Sequence, residues 1–164
     1  MRKDIFEIAK EVFNLARKNN VWVASAESCT GGILSGAITE IPGSSAIFEC
    51  GFITYSNASK IRLLNVNQHT LNCFGAVSEE VASEMAIGAI NNSQASLAIS
   101  ITGIAGPGSS NIKPEGMVCF SVAFEKDILL TKTKQFGPLG RDIVRGKATI
   151  YGLNLLKSAL SKRP

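Results

Sequence analysis

The sequence predicts a single α/β domain, a three-layer α/β/α sandwich with a mixed, mostly parallel sheet and one antiparallel hairpin near the C-terminus. Three observations carry this expectation. Helical and strand periodicities alternate along the chain, the pattern of strands joined by helical crossovers. The run Ala95-Ser96-Leu97-Ala98-Ile99-Ser100-Ile101-Thr102 is too apolar to turn either side to water, as in a central strand covered by helices on both faces. Two alternating runs, Met117 to Phe124 and Ile128 to Gln135, flank Glu125-Lys126-Asp127, which is the layout of a hairpin. A chain of 164 residues is long enough for one such domain, 1–164, and too short for two ordinary ones.

Each element has its own signal. Ile5, Ile8, Ala9, Val12, Leu15 and Ala16 recur at helical spacing between 4 and 19, with Asp4 and Glu7 placed like a capping box. A β-branched apolar strand follows over 21–26. A small-residue helix over 30–40 stops at Ile41-Pro42-Gly43-Ser44-Ser45, where proline and glycine break it. A second strand is expected from Ile47 to Tyr55, and then Ser56 or Asn57 caps a short helix ending near Leu64. The stretch from Asn65 to Ala76 reads as polar and irregular, with His69 on a surface loop. Ser78, followed by Glu79 and Glu80, caps a helix whose apolar face is Val81, Met85 and Ala89, and whose small residues Ala82, Ala86 and Gly88 permit close packing. In the second strand of the hairpin Lys132 and Lys134 mark an exposed edge. A last helix from about Leu139 to Ser161 carries Val144, Ala148, Tyr151 and Leu155 along one stripe.

Composition narrows the function. Hydrophobic content of 45% with 18% charge is that of a globular chain, and no apolar run approaches bilayer length, so no membrane partner is expected. The start, Met1 to Glu7, lacks the apolar segment of a secretory signal. Cys29, Cys50, Cys73 and Cys119 show no C-x-x-C spacing and His69 is the lone histidine, which argues against a zinc site or a disulfide framework and fits a reducing cytoplasm. No metal and no cofactor is expected. Of the net charge of +4, part sits in Arg2, Lys3, Lys162 and Arg163, and no basic run is interleaved with aromatics. Direct nucleic-acid binding is therefore not expected, whereas a small anionic ligand suits the modest excess.

Candidate chemistry gathers where strands end, which is where open α/β sheets bind ligands. In Ser28-Cys29-Thr30-Gly31-Gly32 a hydroxyl stands before a helix start; it either caps the helix or serves as a nucleophile in a place that favours developing negative charge. Lys60, in the first turn of its helix, meets the positive end of a dipole, a place suited to an amine of lowered pKa. Partly desolvated, it is a general base for Ser28, since serine–lysine pairs are a variant of the serine–histidine arrangement. Tyr55 either relays a proton or orients the lysine, or else is a packing residue with one hydrogen bond. Backbone N–H groups near Gly31 are candidates for an oxyanion hole. Cys29 is the rival nucleophile, or simply small buried packing. Thr102-Gly103-Ile104-Ala105-Gly106-Pro107-Gly108 can cradle a phosphate or a ring with its amides, but is neither a dinucleotide fingerprint nor a P-loop. Arg141 and Arg145, one helical turn apart, are either anion ligands or solvated surface residues.

These residues also carry a resemblance. Glu27-Ser28-Cys29-Thr30-Gly31-Gly32, then Gly51-Phe52-Ile53-Thr54-Tyr55-Ser56-Asn57 with Lys60, Gly75-Ala76-Val77-Ser78-Glu79, Ser100-Ile101-Thr102-Gly103-Ile104-Ala105-Gly106-Pro107 and Lys113-Pro114-Glu115-Gly116 resemble, in order and over almost the whole chain, the competence-damage-inducible CinA C-terminal domain family. Active members of that family are nicotinamide-nucleotide amidases. The resemblance therefore implies hydrolysis of nicotinamide mononucleotide to nicotinic acid mononucleotide and ammonia, in a bacterial cytoplasm, by a homo-oligomer. It implies Ser28 as the acyl-forming nucleophile with Lys60 and Tyr55 as its activating neighbours. Thr30, Gly31, Gly32, Thr102, Gly103 and Gly106 become substrate contacts, and Arg141 and Arg145 match the arginines that open the family's last helix. Two stretches depart from the pattern. Gly108 to Lys113 is less glycine-rich and less acidic than expected, and Gly137-Pro138-Leu139-Gly140 lacks the acidic or amide residue commoner beside the arginine. A catalytically silent nucleotide-binding or protein-interaction module of the same fold is the alternative.

Overall fold

Helical and strand periods resolve into the elements they predict. The computed structural model describes residues 3–109 and 113–162. They form α1 (Lys3–Lys18), β1 (Val23–Glu27), α2 (Ile33–Thr39), a single 3-10 turn (Ser44–Ala46), β2 (Phe48–Ile53), α3 (Asn57–Leu64), α4 (Gln68–Phe74), α5 (Glu79–Asn91), β3 (Leu97–Gly103), β4 (Met117–Phe124), β5 (Asp127–Gln135) and α6 (Arg141–Ser161). The sheet order is β2-β1-β3-β4-β5. β1 pairs in parallel with β2 and β3, while β4 is antiparallel to both β3 and β5. Only β4 therefore runs against the other four strands. The carboxyl ends of β1, β2 and β3 open on one edge.

The two faces of the sheet are built from different side chains. Because residues alternate along a strand, Leu97, Ile99 and Ile101 of β3 enter the core shared with α1, α2 and α6. Ala98 faces the other way, with Ala24 and Ala26 of β1, into the core under α3, α4 and α5. Alanine on that face lets α5 lie close to the sheet. The polar residues of β3 on that side are satisfied by backbone: Ser100 Oγ donates to Ala82 O at 2.5 Å and Thr102 Oγ1 to Ala76 O at 2.7 Å. Gly88 of α5 abuts the Leu64 carbonyl so closely that a Cβ there would overlap it.

Three local readings are corrected. The stretch expected to be irregular contains α4, and His69 lies on that helix with its ring against Cys73 Sγ at 3.4 Å. α4 buries only Leu71, so it has no apolar period to read. It is held by its cap, where Asn67 Oδ1 accepts from His69 N at 2.9 Å, and by Glu84 of α5, which accepts from Asn67 N at 2.7 Å and Thr70 Oγ1 at 2.6 Å. Asp4 lies inside the first turn of α1, where its carboxylate accepts from Ile5 N at 2.9 Å. The last helix begins at Arg141. Tyr151 of its stripe packs on Phe120 with ring centroids 4.9 Å apart, and Lys134, predicted as edge charge, sits over the Tyr151 ring at 5.1 Å. Arg2 and Arg163 of the terminal charge, and Ser110, Asn111 and Ile112 of the departing loop, lie outside the described residues. No helix among the described residues is long and apolar enough to cross a membrane.

Candidate active site

The segments that follow β1, β2 and β3, together with the start of α6, surround a cavity of about 230 Å³. A larger hollow, about 670 Å³, lies beside Ser93 to Ser96 and Glu125 to Asp127 at the opposite end of β3, and none of the expected site residues reaches it. The chemistry is in the smaller one.

Ser28 opens the turn after β1. Its N–H donates to Ile101 O at 2.9 Å, which ties the turn to β3, and its carbonyl accepts from Gly31 N at 3.1 Å. Gly31 and Gly32 have φ of 59° and 94°, a left-handed path that glycine takes at no steric cost. Lys60 arrives from α3, whose start is set by Ser56 Oγ accepting from Ser59 N at 3.1 Å. The lysine is 1% exposed. Its Nζ donates to Ser28 Oγ at 3.0 Å and to Thr54 O at 2.6 Å. Burial lowers the Lys60 amine from the ordinary 10.5 to about 8. The same burial acts the other way on Cys29, whose thiol is pushed up to about 12. A thiol held protonated is a poor nucleophile.

Tyr55 is exposed, and its hydroxyl accepts from Arg141 Nη2 at 2.8 Å. The residue that orients Lys60 is thus Thr54, through its carbonyl, and the tyrosine positions the arginine. Arg141 Nη1 also donates to Gly106 O at 3.1 Å, so the guanidinium bridges the loops after β2 and β3 at the cavity rim. Thr102, Gly103 and Ala105 line one wall, and Ala76 and Val77 the other. Those walls are braced from behind. Lys113 Nζ donates to Phe74 O at 2.6 Å and to Val77 O, and Glu115 Oε2 accepts from Gly108 N at 2.7 Å. Among the described residues no carboxylate lines the cavity, while Lys60 and Arg141 both do.

Five expected contacts stand apart from the cavity lining: Thr30, Gly31, Gly32, Gly106 and Arg145. The Gly31 amide is engaged by Ser28 O, and the Gly32 amide by Glu27 Oε2 at 3.0 Å. The N–H groups of Cys29 and Thr30 donate to no oxygen among the described residues. The Thr30 hydroxyl is buried and has no hydrogen-bond partner among the described residues. Arg145 turns to the backbone, with Nε donating to Cys29 O at 3.0 Å and Nη2 to Thr30 O at 2.9 Å. Glu27, which the sequence offers only as part of a motif, is fully buried and accepts from Gly32 N, Leu34 N and Ser35 N at 3.0, 3.2 and 2.8 Å. It thereby caps α2 from the end of β1, although Gly32 is the residue that directly precedes the helix. The only sequence signal for it is an acidic residue closing an apolar strand. No three His, Cys, Asp or Glu side chains cluster as a metal site among the described residues.

A buried amine on a serine hydroxyl, at the carboxyl ends of parallel strands beneath an arginine, gives this α/β fold the parts of a serine–lysine hydrolase. Residues 5–160 match the CinA C-terminal domain, and the chain belongs to that family. It is 45% identical over 152 residues to the nicotinamide-nucleotide amidohydrolase PncC of Enterobacter agglomerans, covering 92% of each chain. It is 52% identical over 117 residues to a CinA-like protein of Chlorobium phaeobacteroides, covering 71% of this chain and 28% of that longer one. Among solved structures it superposes on the competence/damage inducible protein CihA from Agrobacterium tumefaciens with a TM-score of 0.93, at 40% identity, covering 99% of this chain and 98% of that one.

Proposed function

We propose that the protein is a nicotinamide-nucleotide amidase that hydrolyses nicotinamide mononucleotide to nicotinic acid mononucleotide and ammonia in the cytoplasm, without metal or cofactor. The observation that carries this reading is the 3.0 Å contact between a 1% exposed Lys60 and Ser28 Oγ at the mouth of the cavity. An amine lowered to about 8 is neutral in a useful fraction near neutral pH and can then accept the serine proton.

The steps balance with these groups alone. Neutral Lys60 takes the Ser28 proton as Oγ bonds to the carboxamide carbon, and the carbonyl π pair moves to oxygen. That oxyanion accepts from the free N–H groups of Cys29 and Thr30. Lysine then gives its proton to the amide nitrogen, the C–N bond breaks and ammonia leaves. Water, deprotonated by the same lysine, attacks the acyl-serine, and Oγ departs with the proton returned. Arg141, held by Tyr55 and Gly106, meets the phosphate, and the small residues of the cavity walls admit the flat pyridine ring. The partner is thus a small anionic nucleotide rather than nucleic acid or membrane, and the working form is a homo-oligomer.

The test is ammonia release from nicotinamide mononucleotide by the native protein and by Ser28→Ala. Turnover by the native protein is expected, with a loss on the order of a thousandfold or more in the variant. Undiminished turnover in Ser28→Ala removes the covalent mechanism, and no turnover in the native protein leaves a silent binding module.

A further inference from the structure

We propose that Glu27 and Arg145 are a pair of positioning residues that hold the Ser28 turn from its two sides without touching substrate. The inference rests on Ser28 being the nucleophile. Residues 28–31 leave β1 and must return to α2 within a few residues, with two glycines in a left-handed conformation. Burial of Cys29 and Thr30 places the segment, but the direction of its peptide units is set by hydrogen bonds. Glu27 fixes its far end: one carboxylate takes the Gly32, Leu34 and Ser35 amides and also the Ser35 hydroxyl, at 2.5 Å. The carboxylate therefore answers the free amides that open α2, and these are removed as alternative seats for an anion.

Arg145 fixes the middle of the turn. It donates to the carbonyls of Cys29 and Thr30 at 3.0 and 2.9 Å, and so holds these two peptide units from their oxygen side. The N–H groups free to receive an oxyanion are those of the same two residues. Gly31 is the counterpart on the chain: a Cβ there would meet Arg145 Nη2 at 3.2 Å, so a side chain would press on the guanidinium. Arg145 thus lies one turn from Arg141 on α6 but serves the enzyme's backbone, while Arg141 faces the ligand.

The experiment measures kcat and KM for nicotinamide mononucleotide in Arg145→Ala and Glu27→Gln, with and without added guanidinium chloride at non-denaturing concentration. A small phosphonyl fluoride, which needs no nucleotide contact, reports Ser28 reactivity in parallel. Misplacement of a reacting group by about 1 Å costs roughly a hundredfold. Arg145→Ala is expected to lose about that factor in kcat and in phosphonylation rate, with KM within about twofold of native and partial rescue of kcat by guanidinium. Glu27→Gln is expected to lose kcat similarly, and the double variant less than the product of the two, since both act on one turn. Should either variant fail to fold, Arg145→Lys, which retains one donor arm, is expected at intermediate kcat. A raised KM with kcat retained would make Arg145 a substrate ligand and overturn the proposal, as would native phosphonylation rates in both variants. Native protein that is phosphonylated at Ser28 yet releases no ammonia from the nucleotide overturns the substrate reading instead, and leaves the clamp standing.

Discussion

Lys60 shows how one burial sets both chemistry and stability. Its amine, about 8 folded and 10.5 in the ordinary case, binds a proton more weakly in the folded chain. Between those two values the unfolded chain holds a proton that the folded chain lacks, so stability rises as pH climbs from about 8 to about 10.5. Below about 8 the full cost of a buried ammonium is present. That cost is on the order of 3 kcal/mol. Lys60→Met removes the titration and leaves Thr54 O and Ser28 Oγ without their donor. Its melting temperature relative to the native protein is therefore expected to fall between pH 7 and pH 10, whatever the offset from the lost hydrogen bonds. Thermal melts of both proteins at the two pH values measure it, and a gap independent of pH would show that the lysine is not depressed. In activity the same group should give kcat/KM rising with pH toward a plateau above about 8. At this scale the serine and the lysine are legible in the sequence because each stands in a motif at a strand end. Thr54 and the target of Arg145 are not, because the acceptors are backbone carbonyls, which no residue type announces.

Among the elements, the periodic ones are plain in the sequence and α4 is not, for a reason visible in its residues. α5 advertises Val81, Met85 and Ala89 on one face, whereas α4 offers Leu71 alone and takes its stability from Glu84 and the Asn67 cap. Small residues in α5 suggest close packing, and Gly88 supplies it. Gly88→Ala would push a methyl into the Leu64 carbonyl, where backbone must move. The expected cost is about 1–3 kcal/mol. Gly36, on the exposed side of α2 with no atom within 4 Å of where its Cβ would sit, is the control. Gly36→Ala is expected to be neutral or to gain about 0.5–1 kcal/mol. Urea unfolding of the two variants beside the native protein separates them, and equal destabilisation would contradict a close α3–α5 crossing.

For the molecule as a whole, alternating periodicities and a two-sided apolar run announce the α/β class, while the strand order β2-β1-β3 depends on pairings distant in sequence that no local pattern encodes. The same topology makes the cavity a meeting of distant segments: Ser28, Lys60, Thr102 and Arg141 line it from four elements or their loops. A ligand there links the start, middle and end of the chain, so its binding energy adds to the stability of the whole fold. Ser28→Ala, which retains the cavity but not the nucleophile, is expected to be stabilised by about 2.7 kcal/mol when nicotinamide mononucleotide is present at roughly a hundred times its Kd. In a domain of this size that is a rise of roughly 5–10 °C in Tm. Nicotinamide alone is expected to shift it far less, because Lys60 and Arg141 are the charges lining the cavity and only the nucleotide brings a phosphate to them. Combining Arg141→Ala with Ser28→Ala should abolish most of the difference between the two ligands, since an arginine–phosphate contact is among the stronger hydrogen bonds available. Equal shifts with the two ligands, or a shift that survives the loss of Arg141, would place the phosphate elsewhere on the molecule while leaving the Ser28–Lys60 pair untouched.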